Sequence, residues 1–446
     1  MRIMSKLLKI IVISYMVYPS FILGLLNQLP NQFEFFEPGY AYAAENRKPT
    51  TRKTPALRER IYTQLARAQK LADNGQVKEG LEVLDHVKSR LKQLNSYEKA
   101  MLWNFYAFIH YANNDTNSAI KYFARVVQQK NIPESLELST LYSLAQLSLA
   151  AGDAQQTIKY ISRWEEIKGQ LNDSSLVLKA NAYYLLKQYQ KAESAISIAV
   201  NHVLSKDKKP KENWLVLQRA LHYELKNPMA VTKISEQLVH FYPKARYWID
   251  LANMYGETEQ PKKQLAIMEA AYQQGFVTKK RDIQTLSQLY YEAGAPYKSA
   301  KLLSDSIQSG IIFANIKILH YLAQAWISAK EIKKAIPVLK RATDLSSNGN
   351  LDAKLADLYY QTRDWKRTLQ AAKEAIRKGN LDNLGSLYIT MGRAYVNLEQ
   401  FDRAIETFAL ADKQGKQHKV AKQWINYTQT EKHKYQILAQ LSSTDS

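Results

Sequence analysis

From about Arg58 to Leu441, apolar positions recur with the period of a helix, in paired segments of about 12–15 residues. Short polar breaks separate the segments: Asn74-Gly75, Asn113-Asn114-Asp115, Gly152-Asp153, Asn227-Pro228, Gln260-Pro261, Ala295-Pro296 and Arg363-Asp364. Within each pair, a small residue tends to follow an apolar one in the first segment. These marks are Ala68, Ala107, Ala145, Ala180, Arg219, Ala252, Ser287, Ala323, Ala356 and Gly392, with Arg219 the degenerate member. The 324 residues from Ala68 to Gly392 hold nine steps, a mean period of 36. Such a period predicts stacked helical hairpins, since one hairpin cannot bury its own apolar face. The small residue belongs where two helices cross closely, so Ala323 is expected opposite Ala335, and Gly392 opposite Ala404. Enlarging a crossing residue should cost about 1–3 kcal/mol.

The unit Tyr388, Met391-Gly392, Tyr395, Phe401, Ala404, Phe408 and Ala411 resembles the tetratricopeptide pattern. The same frame fits Leu355-Ala356, Tyr359, Trp365 and Ala375, and also Leu322-Ala323, Trp326, Ala335, Leu339 and Ala342. It fits Trp248, Leu251-Ala252, Tyr255, Met268 and Ala271 as well. The resemblance implies an all-α fold: a right-handed superhelical solenoid of about ten such hairpins with a C-terminal capping helix. The expected organisation is a signal peptide over 1–43, a flexible linker over 44–57, the repeat array over 58–415, a capping helix over 416–441 and a tail over 442–446. Val420, Trp424, Tyr427, Tyr435 and Leu438 are the apolar stripe by which the cap is expected to dock.

The N-terminus adds an address. Arg2, Lys6 and Lys9 precede an apolar run from Ile10 to Leu26, and Ala41-Tyr42-Ala43 has the spacing of a cleavage site. Export to the periplasm is expected, with the same run serving as an anchor if it is not cleaved. The 446-residue chain has a formal net charge of +21, of which residues 1–43 supply one. The basic surface suits anionic partners, a membrane or peptidoglycan surface among them. Nucleic acid is not expected in an exported chain. There is no cysteine, which excludes disulfides and thiol chemistry.

The sequence carries no phosphate-binding loop, no His-Glu-x-x-His and no nucleophile elbow. Glu165-Glu166 is read as a solvated pair on an exposed helix face. No enzyme, metal or cofactor is therefore expected. A binding surface is. In tetratricopeptide arrays the first helix of each hairpin lines the concave face. The residue after each mark is Gln69, Phe108, Gln146, Asn181, Ala220, Asn253, Gln288, Gln324, Asp357 or Arg393, six of ten being carboxamides. One turn along from the mark lie Tyr111, Tyr184, Tyr223, Tyr291 and Tyr360. Carboxamides match the N–H and C=O of a peptide backbone, and tyrosine gives rigid contact area. A peptide-binding groove is expected from Gln69, Tyr111, Gln146, Asn181, Tyr184, Tyr223, Asn253, Gln288, Tyr291, Gln324 and Tyr360.

An exported array of about ten hairpins closing on Trp424-Ile425 and Tyr427 is similar to the periplasmic tetratricopeptide component associated with TonB–ExbB–ExbD systems of gammaproteobacteria. That resemblance implies a TonB-system protein as partner and an accessory role in uptake. A scaffold for outer-membrane assembly, secretion or polysaccharide export is the alternative, and a peptidoglycan- or glycan-binding envelope protein is another.

Overall fold

The computed structural model describes residues 52–444 apart from 416, and among them it holds 21 α-helices and no strand. The signal-peptide reading of 1–43 and residues 44–51 lie outside the described residues. The helices pair into ten antiparallel hairpins and one closing helix. The chain divides into two compact units, up to Pro243 and from Lys244.

The first unit holds α1 (Glu59–Asp73), α2 (Val77–Lys88), α3 (Ser96–Ala112), α4 (Thr116–Val127), α5 (Glu134–Ala150) and α6 (Ala154–Lys168). It continues with α7 (Asp173–Leu185), α8 (Tyr189–Leu204), α9 (Glu212–Glu224) and α10 (Pro228–Phe241). The second unit holds α11 (Ala245–Glu257), α12 (Pro261–Gln273), α13 (Lys280–Glu292), α14 (Pro296–Gln308), α15 (Ile316–Ser328) and α16 (Ile332–Leu345). Then follow α17 (Asn350–Gln361), α18 (Trp365–Lys378), α19 (Leu384–Asn397), α20 (Phe401–Asp412) and α21 (His418–Thr444). Within each unit, the second helix of every hairpin also packs on the first helix of the next.

The ten marks fall at one place in this architecture. Each first helix ends five residues after its mark, and each second helix begins nine after it, as in Ala252, Glu257 and Pro261. Three residues therefore make every turn. The middle one has a positive φ in all ten: Gly75, Asn114, Gly152, Lys187, Lys226, Glu259, Gly294, Lys330, Arg363 and Glu399. The next N–H then reaches back to a carbonyl in the last turn of the first helix, as in Gln76 to Leu71 at 2.9 Å and Gln400 to Tyr395 at 3.0 Å. This Schellman-type closure satisfies carbonyls that a helix end leaves free. The residue after the left-handed one caps the second helix; Asp115, Asp153 and Asp364 accept backbone N–H bonds there. Pro228, Pro261 and Pro296 open their helices, where the missing N–H costs nothing.

The expected crossing positions are buried, although Gly392 meets the Phe408 ring where Ala404 is expected. Nine of the marks are fully or nearly fully buried, and Ala119, Ala192, Ser299, Ala335, Thr368 and Ala404, twelve residues on, are buried too. A Cβ on Gly80 would lie 2.7 Å from the Ala68 carbonyl oxygen, and one on Gly392 would lie 2.4 Å from Phe408 Cε1. These crossings leave no room for a larger residue. A cation also clips several turns. Lys263 lies over Tyr255, Lys298 over Tyr290, Lys334 over Trp326 and Arg367 over Tyr359, at 4.8–5.9 Å. In each case the two residues are eight apart across the turn. Such contacts are worth about 0.5–1 kcal/mol at exposed sites.

Three details differ from the sequence reading. Residues 52–57, part of the segment read as a flexible linker, lie pinned against the second and third hairpins. Arg52 pairs with Glu134 and Glu137, and the Ala56 carbonyl accepts from Asn95 at 2.8 Å. Arg58 grips the buried Glu98 through two 2.5 Å bonds. The capping helix runs to Thr444, beyond the expected end at 441. It docks through Ala421, Trp424, Ile425 and Thr428, while Val420, Tyr427, Tyr435 and Leu438 are exposed. Antiparallel packing on the shorter α20 selects that face, with Trp424 stacked on Phe408 at 5.7 Å. Finally, Glu165 and Glu166 do not form a solvated pair. Glu165 is buried, accepting from Ser175 at 3.0 Å and from Lys179, while Glu166 is exposed. Adjacent residues of a helix point about 100° apart, so one can enter the core as its neighbour stays wet.

Candidate peptide-binding faces

First helices of neighbouring hairpins touch: α1 with α3, α5 with α7, and α7 with α9 in the first unit. In the second unit α17 touches α19, and α19 touches α21. Within each unit they form a layer whose outward positions can meet a ligand. The residue after each mark lies on that layer, beside the buried crossing residue.

In the first unit, Gln69, Gln146 and Asn181 are half-buried at this position. Gln69 donates to Asp73 at 2.7 Å, and Asn181 donates to the Val177 carbonyl at 2.8 Å. Tyr111 and Tyr184, one turn along, are half-buried, and burial pushes both phenols above their ordinary range. Tyr184 also packs on Tyr189 at 5.7 Å. Tyr223 is exposed on the degenerate fifth hairpin. Phe108 stands where a carboxamide would, and packs edge-on to Phe123 at 5.3 Å.

In the second unit, Asn253 and Gln324 are exposed, whereas Gln288 is half-buried and donates to Glu292 at 2.9 Å. Tyr291 hydrogen-bonds Ser328 of the next hairpin at 2.9 Å, and its ring meets Tyr321 at 5.7 Å. These contacts tie two first helices together at the surface. Tyr360 packs on Trp365 at 5.0 Å and lies under the Arg393 guanidinium at 4.4 Å. Asp357 accepts from Thr390 of the next first helix at 2.8 Å. The carboxamides thus fall into two sets, one offering free surface and one bonded along its own helix. Ser328, Tyr321, Thr390 and Trp424 join the face without belonging to either row. Tyr321 and Thr390 both lie two residues before their marks, but the neighbour each meets is set by the stacking of hairpins.

The chemistry available is hydrogen bonding, stacking and charge. Among the described residues no group of three or more His, Asp or Glu could hold a metal ion. Among them, too, no helix is long and apolar enough to cross a membrane.

A family model described as "Anaphase-promoting complex, cyclosome, subunit 3" matches residues 112–198, covering α4 to α7 and part of its neighbours. Solved structures with similar hairpins include a crystal structure of MamA, 13% identical over 37% of this chain and 92% of that one, TM-score 0.32. A Podospora anserina putative kinesin light chain with nearly identical TPR-like repeats is 21% identical over 41% of this chain and 94% of that one, TM-score 0.32. The yeast Sti1 TPR2AB domain, in complex with an Hsp90 peptide, is 14% identical over 66% and 98%, TM-score 0.28. No curated protein matches the sequence. The chain is an all-α helical-hairpin repeat protein. Its hairpins stack in the tetratricopeptide-like manner.

Proposed function

We propose that this protein is a non-enzymatic scaffold that holds an extended partner polypeptide on the first-helix faces of its hairpins. One observation carries the reading: the same position on successive first helices, beside each buried crossing, repeatedly bears a carboxamide. Each neutral hydrogen bond to a peptide nets about 0.5–1.5 kcal/mol, and ordering a flexible ligand takes back part of it. Micromolar-scale binding follows, with selectivity from a few sites.

We read the scaffold as periplasmic, on the N-terminal export pattern, and as an accessory factor of a TonB-dependent uptake system, on the sequence resemblance. A TonB-system protein is the partner this reading names. The net charge of +21 would favour approach to an anionic membrane or peptidoglycan surface. The test is photocrosslinking in cells from Asn253, which is exposed and untouched by the variant below, with the captured partner identified. The Asn181→Ala, Gln288→Ala, Gln324→Ala variant should keep its helical signal and lose the crosslink. Undiminished capture by that variant would defeat the groove reading. Capture of a partner unrelated to energy transduction would leave the groove and remove the TonB assignment.

A further inference from the structure

The row after the marks changes character at its end. Asn253, Gln288 and Gln324 are neutral, whereas Asp357 and Arg393 carry opposite charges on adjoining first helices, α17 and α19. No ion pair joins them. Each is instead held in place by other groups. The Thr390 hydroxyl donates to Asp357 Oδ1 at 2.8 Å, leaving the second oxygen of an exposed carboxylate open. The Arg393 guanidinium is flanked by two rings, Tyr360 at 4.4 Å and Trp424 at 5.2 Å, and its buried Nε has no hydrogen-bond partner. A half-buried guanidinium with an unused donor is costly to leave so. Arg393 acts on the Asp357 carboxyl through space without pairing with it, burial raising that carboxyl more than the Thr390 bond and Arg393 lower it, so a ligand that brings the complement of both charges can pair with each.

We propose that this end of the second unit selects a peptide bearing a basic and an acidic residue about three positions apart. Packed helices lie about 8–10 Å apart, and an extended chain advances about 3.3 Å per residue, so one step between first helices spans about three residues. A Lys or Arg of the ligand faces Asp357, and an Asp or Glu faces Arg393 in the fork-like geometry that guanidinium and carboxylate share. A chain held in one direction by the rest of the groove meets both groups only when its own two charges run in the matching order. The inference rests on the groove reading above and adds its sequence preference.

The test uses the full-length protein and fluorescein-labelled 12-residue peptides of Gly, Ser and Ala. Each carries one Lys and one Asp separated by zero to five residues, in both orders, and anisotropy reads binding. The tightest binding is expected with two residues between the charges, and one order should be preferred about tenfold, the worth of one charge-assisted hydrogen bond. The Asp357→Arg, Arg393→Asp variant should reverse the preferred order, which a merely structural role would not do. Should that variant unfold, Asp357→Asn serves: it should abolish the order preference at unchanged melting temperature. Binding that ignores spacing and order, or a preference that survives these substitutions, overturns the proposal. If such binding is still lost in Gln288→Ala, Gln324→Ala, the groove reading stands without it. If no peptide binds, both fall.

Discussion

The tenth hairpin, α19–α20, and the fifth, α9–α10, share one backbone plan and solve the core differently. In the tenth, Gly392 sits at the crossing, the Phe408 ring lies directly against it, and Ala404 is buried. In the fifth, Arg219 occupies the crossing and is half-buried, and the position matching Phe408 is Ser235. The interior there is polar: Gln218 donates to Ser197 at 2.8 Å, which donates to Glu193 at 2.6 Å. His222 lies 3.6 Å from Glu193. Gln218 Oε1, His222 Nδ1 and the Ser235 hydroxyl are buried without a partner. Yet the fifth turn has the same three-residue length, the same left-handed centre at Lys226 and the same closing bond, Asn227 to His222 at 3.0 Å. The repeat frame therefore resides in the turn, and the small residue at the crossing is a refinement that one hairpin can lose.

The comparison can be broken most strongly at the position sixteen residues after the mark. Phe408→Ala should destabilise the second unit by about 4 kcal/mol, the usual cost of emptying a buried aromatic site. Ser235→Ala, its counterpart, should cost nothing and could add up to about 1 kcal/mol, because an unpaired buried hydroxyl is removed. Hydrogen exchange in α19–α20 and α9–α10 reads the two separately. Equal losses would mean that the fifth hairpin is packed as tightly as the tenth.

Next in size is the crossing itself. Gly392→Ala should cost about 1–2 kcal/mol, overpacking outweighing the helix propensity gained. Combined with Phe408→Leu, the added methyl should cost little more, a coupling seen in a double-mutant cycle. Simple additivity would show that the Gly392–Phe408 approach does not set the packing.

The shared turn predicts a smaller effect in the opposite direction. Left-handed conformation costs an L-residue about 1–2 kcal/mol, and glycine loses part of that advantage to its freedom when unfolded. Lys330→Gly and Glu399→Gly should therefore each stabilise by about 0.5–1 kcal/mol, and Gly294→Ala should destabilise by about 1 kcal/mol. Thermal melts check the signs.

The smallest effect is electrostatic. Burial alone would raise the Glu98 carboxyl, but bonds from the Arg58 guanidinium and the Asn95 and Arg58 N–H groups outweigh it and hold it below the usual range. A carboxyl depressed on folding contributes stability above its ordinary pKa, and that stability is lost as pH falls through the folded value. Amide protection at the start of α3 should fall on acidification from pH 5 toward pH 3, and Arg58→Gln should flatten that dependence.

Much of this was legible in the sequence because repeats state the same constraint many times. Ten marks with small or polar turns after them placed ten hairpins, and even the degenerate Arg219 fell in frame. The cap was harder. Val420, Tyr427 and Leu438 form a plausible stripe, but only the partner helix decides that Ala421 and Thr428 face inward. The pinned segment was invisible for a similar reason, since Arg52 and Glu137 meet across 85 positions. Spacing placed Gln288 and Asn181 on the row after the marks, but did not reveal the bonds each makes along its own helix. Site chemistry depends on rotamers and neighbours, whereas the hairpin frame depends on spacing alone.

The uniform turns and the uneven links between hairpins leave the chain asymmetric in what it can absorb. A single added residue at Glu259 or Lys330 would break the closing bond and slide a whole second helix out of step. The links vary freely, from three residues between α10 and α11 to seven between α2 and α3, α8 and α9, and α14 and α15. New sequence, whether a tag, a probe or a docking loop, can be carried only along the edge where one hairpin hands over to the next, with Ser205 to Lys211 one of the longer places to graft it.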